Sequence, residues 1–257
     1  MQDPVEKRLT LGEHLEELRS RVGWSILFVL AGLIVCFALD SPGMDYPLMT
    51  VVLYPHRMAI EETPNADKQL VALKPAENFM NHLKVAFIGG LFLSAPFVLH
   101  QGWKFVAAGL YHGERKAVMT VFPLSLLLFL VGCAFGYTVL VPAALTFLMS
   151  YDPVNVHTMI SLDEYLDFFF LLTLLTGASF ELPLVMTFFA RIGLVTAETY
   201  RKKWKLAILL SFVLGGFLTP SPDPFTQCLL AGPLYLLYEG GILMSKWAWK
   251  KPAEATP

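Results

Sequence analysis

Between Lys116 and Asp152 the chain carries no charged residue. A helix needs only about 20 apolar residues to cross about 30 Å of hydrocarbon. Comparable stretches lie between Arg21 and Asp40, between Lys84 and Lys104, and between Asp167 and Arg191, where Glu181 is the sole charge. Composition follows the same line. Of 257 residues, 55% are hydrophobic and 16% charged, against about 25% charged in soluble domains. The mean hydropathy is +0.56. An ordinary soluble enzyme is excluded, as is a disordered chain, which needs low hydrophobicity and high charge. A formal net charge of −2, with no basic domain, speaks against a nucleic-acid binder. What remains is an all-α polytopic membrane protein, read as one integral membrane domain over 1–257.

Six transmembrane helices follow from reading between charges: Val22–Leu39, Val85–Trp103 (starting near Phe79), Ala117 to about Leu140, Phe168–Ala190, Leu206–Phe217 and Phe225–Tyr238. Pro142 is expected to end the third. The last two are short, reaching only about 18–21 Å at 1.5 Å per residue, which predicts local bilayer thinning or shielding by protein. No internal repeat is visible. The acid-rich N-terminus, with no small-x-small site after the first span, predicts no cleavable signal peptide. Cys36, Cys133 and Cys228 lie far apart in apolar runs and read as buried small hydrophobes rather than a disulfide or zinc framework.

The connecting segments sort by charge. One side collects Lys7, Arg8, Arg19 and Arg21 of the N-terminus, Lys104, Arg115 and Lys116 of the 101–117 loop, Arg191, Arg201, Lys202, Lys203 and Lys205, and Lys246, Lys250 and Lys251 of a flexible tail over 246–257. The other has Arg57, Lys68 and Lys74, all in a long loop over 40–78. The positive-inside rule makes both termini cytoplasmic, which an even span number satisfies. Trp24, Trp103, Trp204, Trp247 and Trp249 fall next to the cytoplasmic ends, where indoles favour the headgroup layer.

Several polar features stand out. Residues 1–21 read as a cytoplasmic amphipathic helix: Thr10 and Glu13 form a capping box, Leu11, Leu15, Leu18 and Val22 an apolar stripe, and His14, Glu17 and Arg21 a polar face. On spacing alone that face is a solvated, salt-bridged one. Glu114 stands among the cations of the 101–117 loop, and on composition alone it neutralises Arg115 or Lys116. Glu181 is the strongest signal. An ionised residue near the bilayer centre costs about 2.5–3.5 kcal/mol on insertion scales, and Leu182-Pro183 adds a helix break. The bland alternative is a glutamic acid kept neutral by desolvation. Thr219-Pro-Ser-Pro-Asp-Pro-Phe-Thr-Gln227 makes Asp223 a turn residue ahead of a last helix opening at Pro224. Thr219 and Gln227 offer polar groups to a partner helix near the membrane boundary. Ala76-Glu77 is read as the start of the second helix, with Glu77 at its positive end. There is no HExxH, no GxSxG and no phosphate-binding glycine loop, so no enzyme, metal or cofactor is expected.

Taken in order, the motifs resemble the TatC family, the multi-spanning core subunit of the twin-arginine protein translocase. They are His14-Leu-Glu-Glu-Leu-Arg-Ser-Arg21, Leu93-Ser-Ala-Pro96, Gln101-x-Trp-x-Phe105, Gly109-Leu-Tyr-x-x-Glu-Arg115, Ser179-Phe-Glu-Leu-Pro183, Arg201-Lys-Lys203, Thr219-Pro-x-Pro-Asp223 and Leu237-Tyr-Glu239. The resemblance covers roughly residues 10–245, with Ala108 where the family often has proline. It implies a receptor for signal peptides with consecutive arginines and a scaffold that exports folded proteins across the cytoplasmic membrane, driven by the proton-motive force. TatA- and TatB-type single-span subunits are the implied partners, in an oligomer within the lipid bilayer. By resemblance, Glu17, Arg19, Phe105 and Glu114 belong to signal binding and Glu181 is the functional intramembrane acid. Pro55, Pro96, Thr219, Asp223 and Gln227 are further docking or structural positions. The competing reading is a proton-coupled small-molecule transporter using Glu181.

Overall fold

The computed structural model describes residues 11–41, 45–63, 70–109, 112–150, 160–218 and 223–248; the side chains of Leu11 and of 112–120 lie outside that description. Within it the fold is all-helical, with an isolated parallel bridge between Val71 and Ser161. Among the described residues five helices are long and apolar enough to cross a membrane, and a shorter apolar helix covers Trp204–Gly216. The chain divides into two compact units, Met1–Leu53 with Ala72–Leu127 and Tyr54–Val71 with Leu128–Pro257.

The first unit is built on α1 (Leu11–Leu39) and α3 (Glu77–Ala108), which pack along each other. Small residues set their distance. A methyl built on Gly32 would lie 2.5 Å from the carbonyl oxygen of Gly90, so only glycine lets the two backbones touch there. The expected N-terminal amphipathic helix is not separate: it is the first part of α1. At 29 residues α1 is about 43 Å long, well beyond the hydrocarbon, so its polar first turns project from it. The same holds for α3, which starts at Glu77 as read and whose Glu77 carboxylate accepts from the backbone N–H groups of Leu73 (2.6 Å) and Lys74 (2.9 Å).

The segment after the second span reads in the sequence as a loop from Gln101. It is instead the last two turns of α3, and α4 begins at His112. Burial explains the extension: Gln101, Trp103 and Ala107 all face protein, and the Trp103 indole N–H donates to the Ser125 hydroxyl at 2.7 Å. Trp103 is thus a packing residue and not part of an interfacial belt, whereas Trp24, Trp204 and Trp247 are exposed.

The 40–78 segment contains a helix, α2 (Pro47–Glu61). Its entry is tied to the first unit through Asp40, whose buried carboxylate accepts from the amides of Leu48 (3.1 Å) and Met49 (3.3 Å) and lies 3.0 Å from His82 Nδ1. A carboxylate at these orphan first-turn amides also meets the positive end of the helix dipole. Asp45 and Tyr46 before it hold φ of 54° and 51°, a left-handed geometry unfavourable for both. The Tyr46 ring packs on His82 at 4.6 Å between centroids.

The second unit takes in the rest of α4 (His112–Phe135), a π-helical turn Gly136–Leu140, and α5 (Val141–Ser150), α6 (Leu162–Ser179), α7 (Leu182–Arg191), α8 (Ala197–Lys202), α9 (Trp204–Leu218) and α10 (Pro224–Ala248). Pro142 does not end the third span near Leu140. The preceding turn is wound to the π register, with the Val141 N–H reaching back to Gly136, and the Thr138 hydroxyl takes the Ala134 carbonyl at 2.8 Å. With its carbonyls redistributed in this way the helix passes the proline, and Val121–Ser150 is long enough to span.

The expected shortness holds for α9, 15 residues or about 22 Å, and fails for α10, 25 residues or about 37 Å. Glu239 had cut the apolar run in the sequence. In the fold its carboxylate is met by Arg201 of α8 and by the Tyr235 hydroxyl (2.8 Å), so the helix carries the charge through. α10 is the hub of this unit, packing on α7 and α9. Gly241 sits against Met186 and Pro183, and Gly215 and Gly216 against Gln227. Cys36 and Cys133 are buried as read, whereas Cys228 is exposed.

Candidate functional site

The polar end of the α1–α3 pair holds the densest group of sequence-selected residues. Glu17 and Arg21 stand four apart on α1, one turn in register. Arg21 turns its fork onto one carboxylate oxygen: Nε and Nη2 donate to Glu17 Oε1 at 2.8 and 2.6 Å. The third nitrogen, Nη1, donates to Gln101 Oε1 of α3 at 3.1 Å. Both charged side chains are about 30% or less exposed, at 27% and 30%. Among the described residues Glu17 Oε2 accepts no hydrogen bond. An i, i+4 pair of this orientation is worth about 0.3–0.5 kcal/mol, so Glu17 is held but not locked.

Phe105 joins the same end from α3, one turn beyond Gln101, and stacks on His14 at 4.5 Å with planes 22° apart. The His14 ring also comes against Gly109. Arg19 does not join them. Its side chain is 82% exposed and its guanidinium lies 3.6 Å from Glu16, on the other side of α1, along a shallow groove with Ser20, Gly23, Trp24 and Leu27. Leu15, Leu18 and Val22, the apolar stripe, remain exposed. Glu114 falls in the first turn of α4, and its side chain lies outside the described set.

Glu181 belongs to the second unit. The break read at Leu182-Pro183 is present: α6 ends at Ser179 and α7 begins at Leu182, with Pro183 in the first turn. The chain stays near helical dihedrals, and Leu162–Arg191 remains one apolar span. The Glu181 carbonyl accepts from Leu184 and Val185. Hydroxyls take up neighbouring carbonyls, Ser179 to Leu175 and Thr187 to Pro183, each at 2.7 Å. The Glu181 side chain is half-buried. Phe180 beside it fills the space over Gly132, where a Cβ would lie 2.7 Å from its ring.

The remaining residues serve the frame. Asp223 caps α10, its Oδ1 accepting the Thr226 N–H at 2.7 Å. Gln227 Nε2 donates to the Phe212 carbonyl of α9 at 2.8 Å. Pro55 is buried inside α2 and Pro96 half-buried inside α3, neither ending its helix. Thr219, like the proposed cap Thr10, lies outside the described residues. Sequence reading missed Gln101 as a partner of Arg21 and Arg201 as a partner of Glu239. The i, i+4 spacing of Glu17 and Arg21 was visible; the α1–α3 register that brings Gln101 alongside was not.

Residues 13–233 match the family model described as Sec-independent protein translocase protein (TatC). The chain belongs to the TatC family. Relatives include the Sec-independent protein translocase protein TatC of Koribacter versatilis, 39% identical over 235 residues, covering 90% of this chain and 83% of the relative. The corresponding protein of Synechocystis sp. is 36% identical over 239 residues, covering 93% and 89%. The fold is similar to the crystal structure of the twin arginine translocase receptor TatC, with a TM-score of 0.78 at 31% identity, covering 92% of this chain and 99% of that one. This TatC-family chain is therefore a multi-pass membrane translocase subunit, a transport protein and not an enzyme, and its membership in Sec-independent protein transport stands against the small-molecule transporter reading.

Proposed function

We propose that this chain is the signal-peptide receptor and scaffold of a twin-arginine translocase, exporting folded proteins across the cytoplasmic membrane on the proton-motive force. One observation carries the reading: Glu17, at the polar end of α1, already receives a guanidinium fork at 2.6–2.8 Å. A guanidinium is planar, permanently charged and matched to a carboxylate in a way that an ammonium is not. The held carboxylate of Glu17 supports a role in arginine recognition. Glu114, also in the first unit, supplies the second acid that a pair of arginines requires, with Phe105 at the same end as the first and Arg19 on the opposite face of α1.

With α9 counted as a sixth crossing beside the five long spans, both termini lie on one side of the membrane, and the cation distribution supports the cytoplasm as that side. At about 22 Å α9 is too short for an unperturbed bilayer, so thinning or protein shielding accompanies it. Glu181, at the α6–α7 break, is a docking or proton-responsive group for the apolar part of the signal. Pro55, Pro96, Thr219, Asp223 and Gln227 shape the surfaces met by TatA- and TatB-type single-span partners within an oligomer. The test is export of a twin-arginine cargo by cells carrying Glu17→Ala, Glu114→Ala or both. Loss of export with normal membrane levels supports the receptor reading; wild-type export by the double variant refutes it.

A further inference from the structure

An arginine receptor with an arginine already in it poses a question of occupancy. Arg21 takes Glu17 with two nitrogens and, with the third, already donates to the Gln101 side-chain oxygen Oε1 at 3.1 Å. Two acceptors on two helices thus share one guanidinium. Neither charged group is deeply buried, and a pair of this kind is weak enough to be displaced by another guanidinium.

We propose that Arg21 is an internal placeholder for the incoming signal arginine and a determinant of specificity. In the resting receptor it occupies Glu17 Oε1. On binding, the peptide guanidinium takes Glu17, and Arg21 transfers to Gln101 by rotation of its own side chain. This rests on the receptor reading and deepens it. The exchange discriminates between ligands by geometry. A guanidinium replaces the fork it removes with an equivalent one, so Glu17 loses nothing. A lysine ammonium brings the same charge without the fork and replaces two directed bonds with one. Gln101 makes the exchange possible by giving the displaced guanidinium an acceptor at a position it already occupies.

Binding of a fluorescent twin-arginine peptide and its twin-lysine counterpart to the full chain in nanodiscs tests this. Arg21→Lys keeps the charge and removes the fork; Arg21→Gln removes both. Each variant is expected to bind the twin-arginine peptide about twofold tighter, as befits loss of a competitor of this strength, with a smaller preference over twin-lysine. Gln101→Leu is expected to weaken binding, and to do so only while Arg21 is present. A thermal melt of each variant separates these effects from loss of fold. Wild-type or weaker affinity in both Arg21 variants overturns the placeholder and makes Arg21 a positioning residue. Glu17→Gln in the same assay reports on the receptor reading itself: unaltered binding there removes the reading, whereas lost binding with unaltered Arg21 variants removes only the placeholder.

Discussion

Gly32→Ala tests how the site is held, because the α1–α3 contact is backbone on backbone. A methyl at position 32 would lie 2.5 Å from the Gly90 oxygen and 3.1 Å from its Cα, while ordinary contact starts at 3.4 Å. The obstacle has no rotamers, so the helices must part, by about 0.9 Å as the difference between 2.5 and 3.4 Å. Overpacking of this kind costs about 1–3 kcal/mol. It is opposed by the gain of replacing a helical glycine with alanine, about 1 kcal/mol, so the net effect is destabilising. Gly23 gives the control: nothing lies within 4 Å of a Cβ there, and Gly23→Ala keeps the propensity gain alone. About 16 Å from the crossing, the Arg21–Gln101 bond at 3.1 Å does not survive the same separation. Thermal unfolding of the purified chain should therefore show Gly32→Ala melting below wild type and Gly23→Ala at or above it, with Gly90→Ala following Gly32→Ala. Equal midpoints for Gly32→Ala and Gly23→Ala would refute the close-contact account.

Other outcomes follow from individual side chains. Asp223→Ala removes the cap on Thr226 and should cost about 1 kcal/mol in unfolding free energy, most of it restored by Asp223→Asn. Asp40→Ala leaves the Leu48 and Met49 amides without their carboxylate and should cost about 1–3 kcal/mol; hydrogen exchange should then rise at the start of α2, and an unchanged pattern there would contradict the capping role. Burial, and then the neighbouring Arg57, holds His56 of α2 below the ordinary histidine value. The unfolded chain consequently binds this proton more readily, so stability is full above about pH 6.5, falls as pH drops through that value, and levels off below the folded-state pKa. His56→Gln should flatten that acid-side slope in melts between pH 8 and pH 5.

The spans were legible because charge-free runs have one use, but their ends were not. Lys104 and Glu239 appeared to close helices that in fact continue. Lys104 stands between Trp103 and Phe105 on a part of α3 that packs against protein, and Glu239 is met by Arg201 and Tyr235. Pro142 misled in the same way, since a π turn upstream is invisible to a rule about single prolines. Short-range features read true: Glu77 at the start of α3, Pro224 opening α10, the break after Ser179. The site was half legible. Glu17 and Arg21 announce their pairing by spacing, but the approach of Gln101 and the stacking of Phe105 on His14 depend on how α1 and α3 slide along each other. That register is set at Gly32 and Gly90, far from the residues it aligns.

The most direct measurement is photo-crosslinking from positions beside the two proposed receptor acids: Glu13 or Ser20 near Glu17, and Ala117 near Glu114. The probes are a twin-arginine signal peptide and its twin-lysine counterpart. Crosslinks at both places that require arginine, and vanish in Glu17→Ala with Glu114→Ala, are the predicted result. Equal crosslinking of the two peptides, or none, would contradict the account and return both acids to ordinary surface charges.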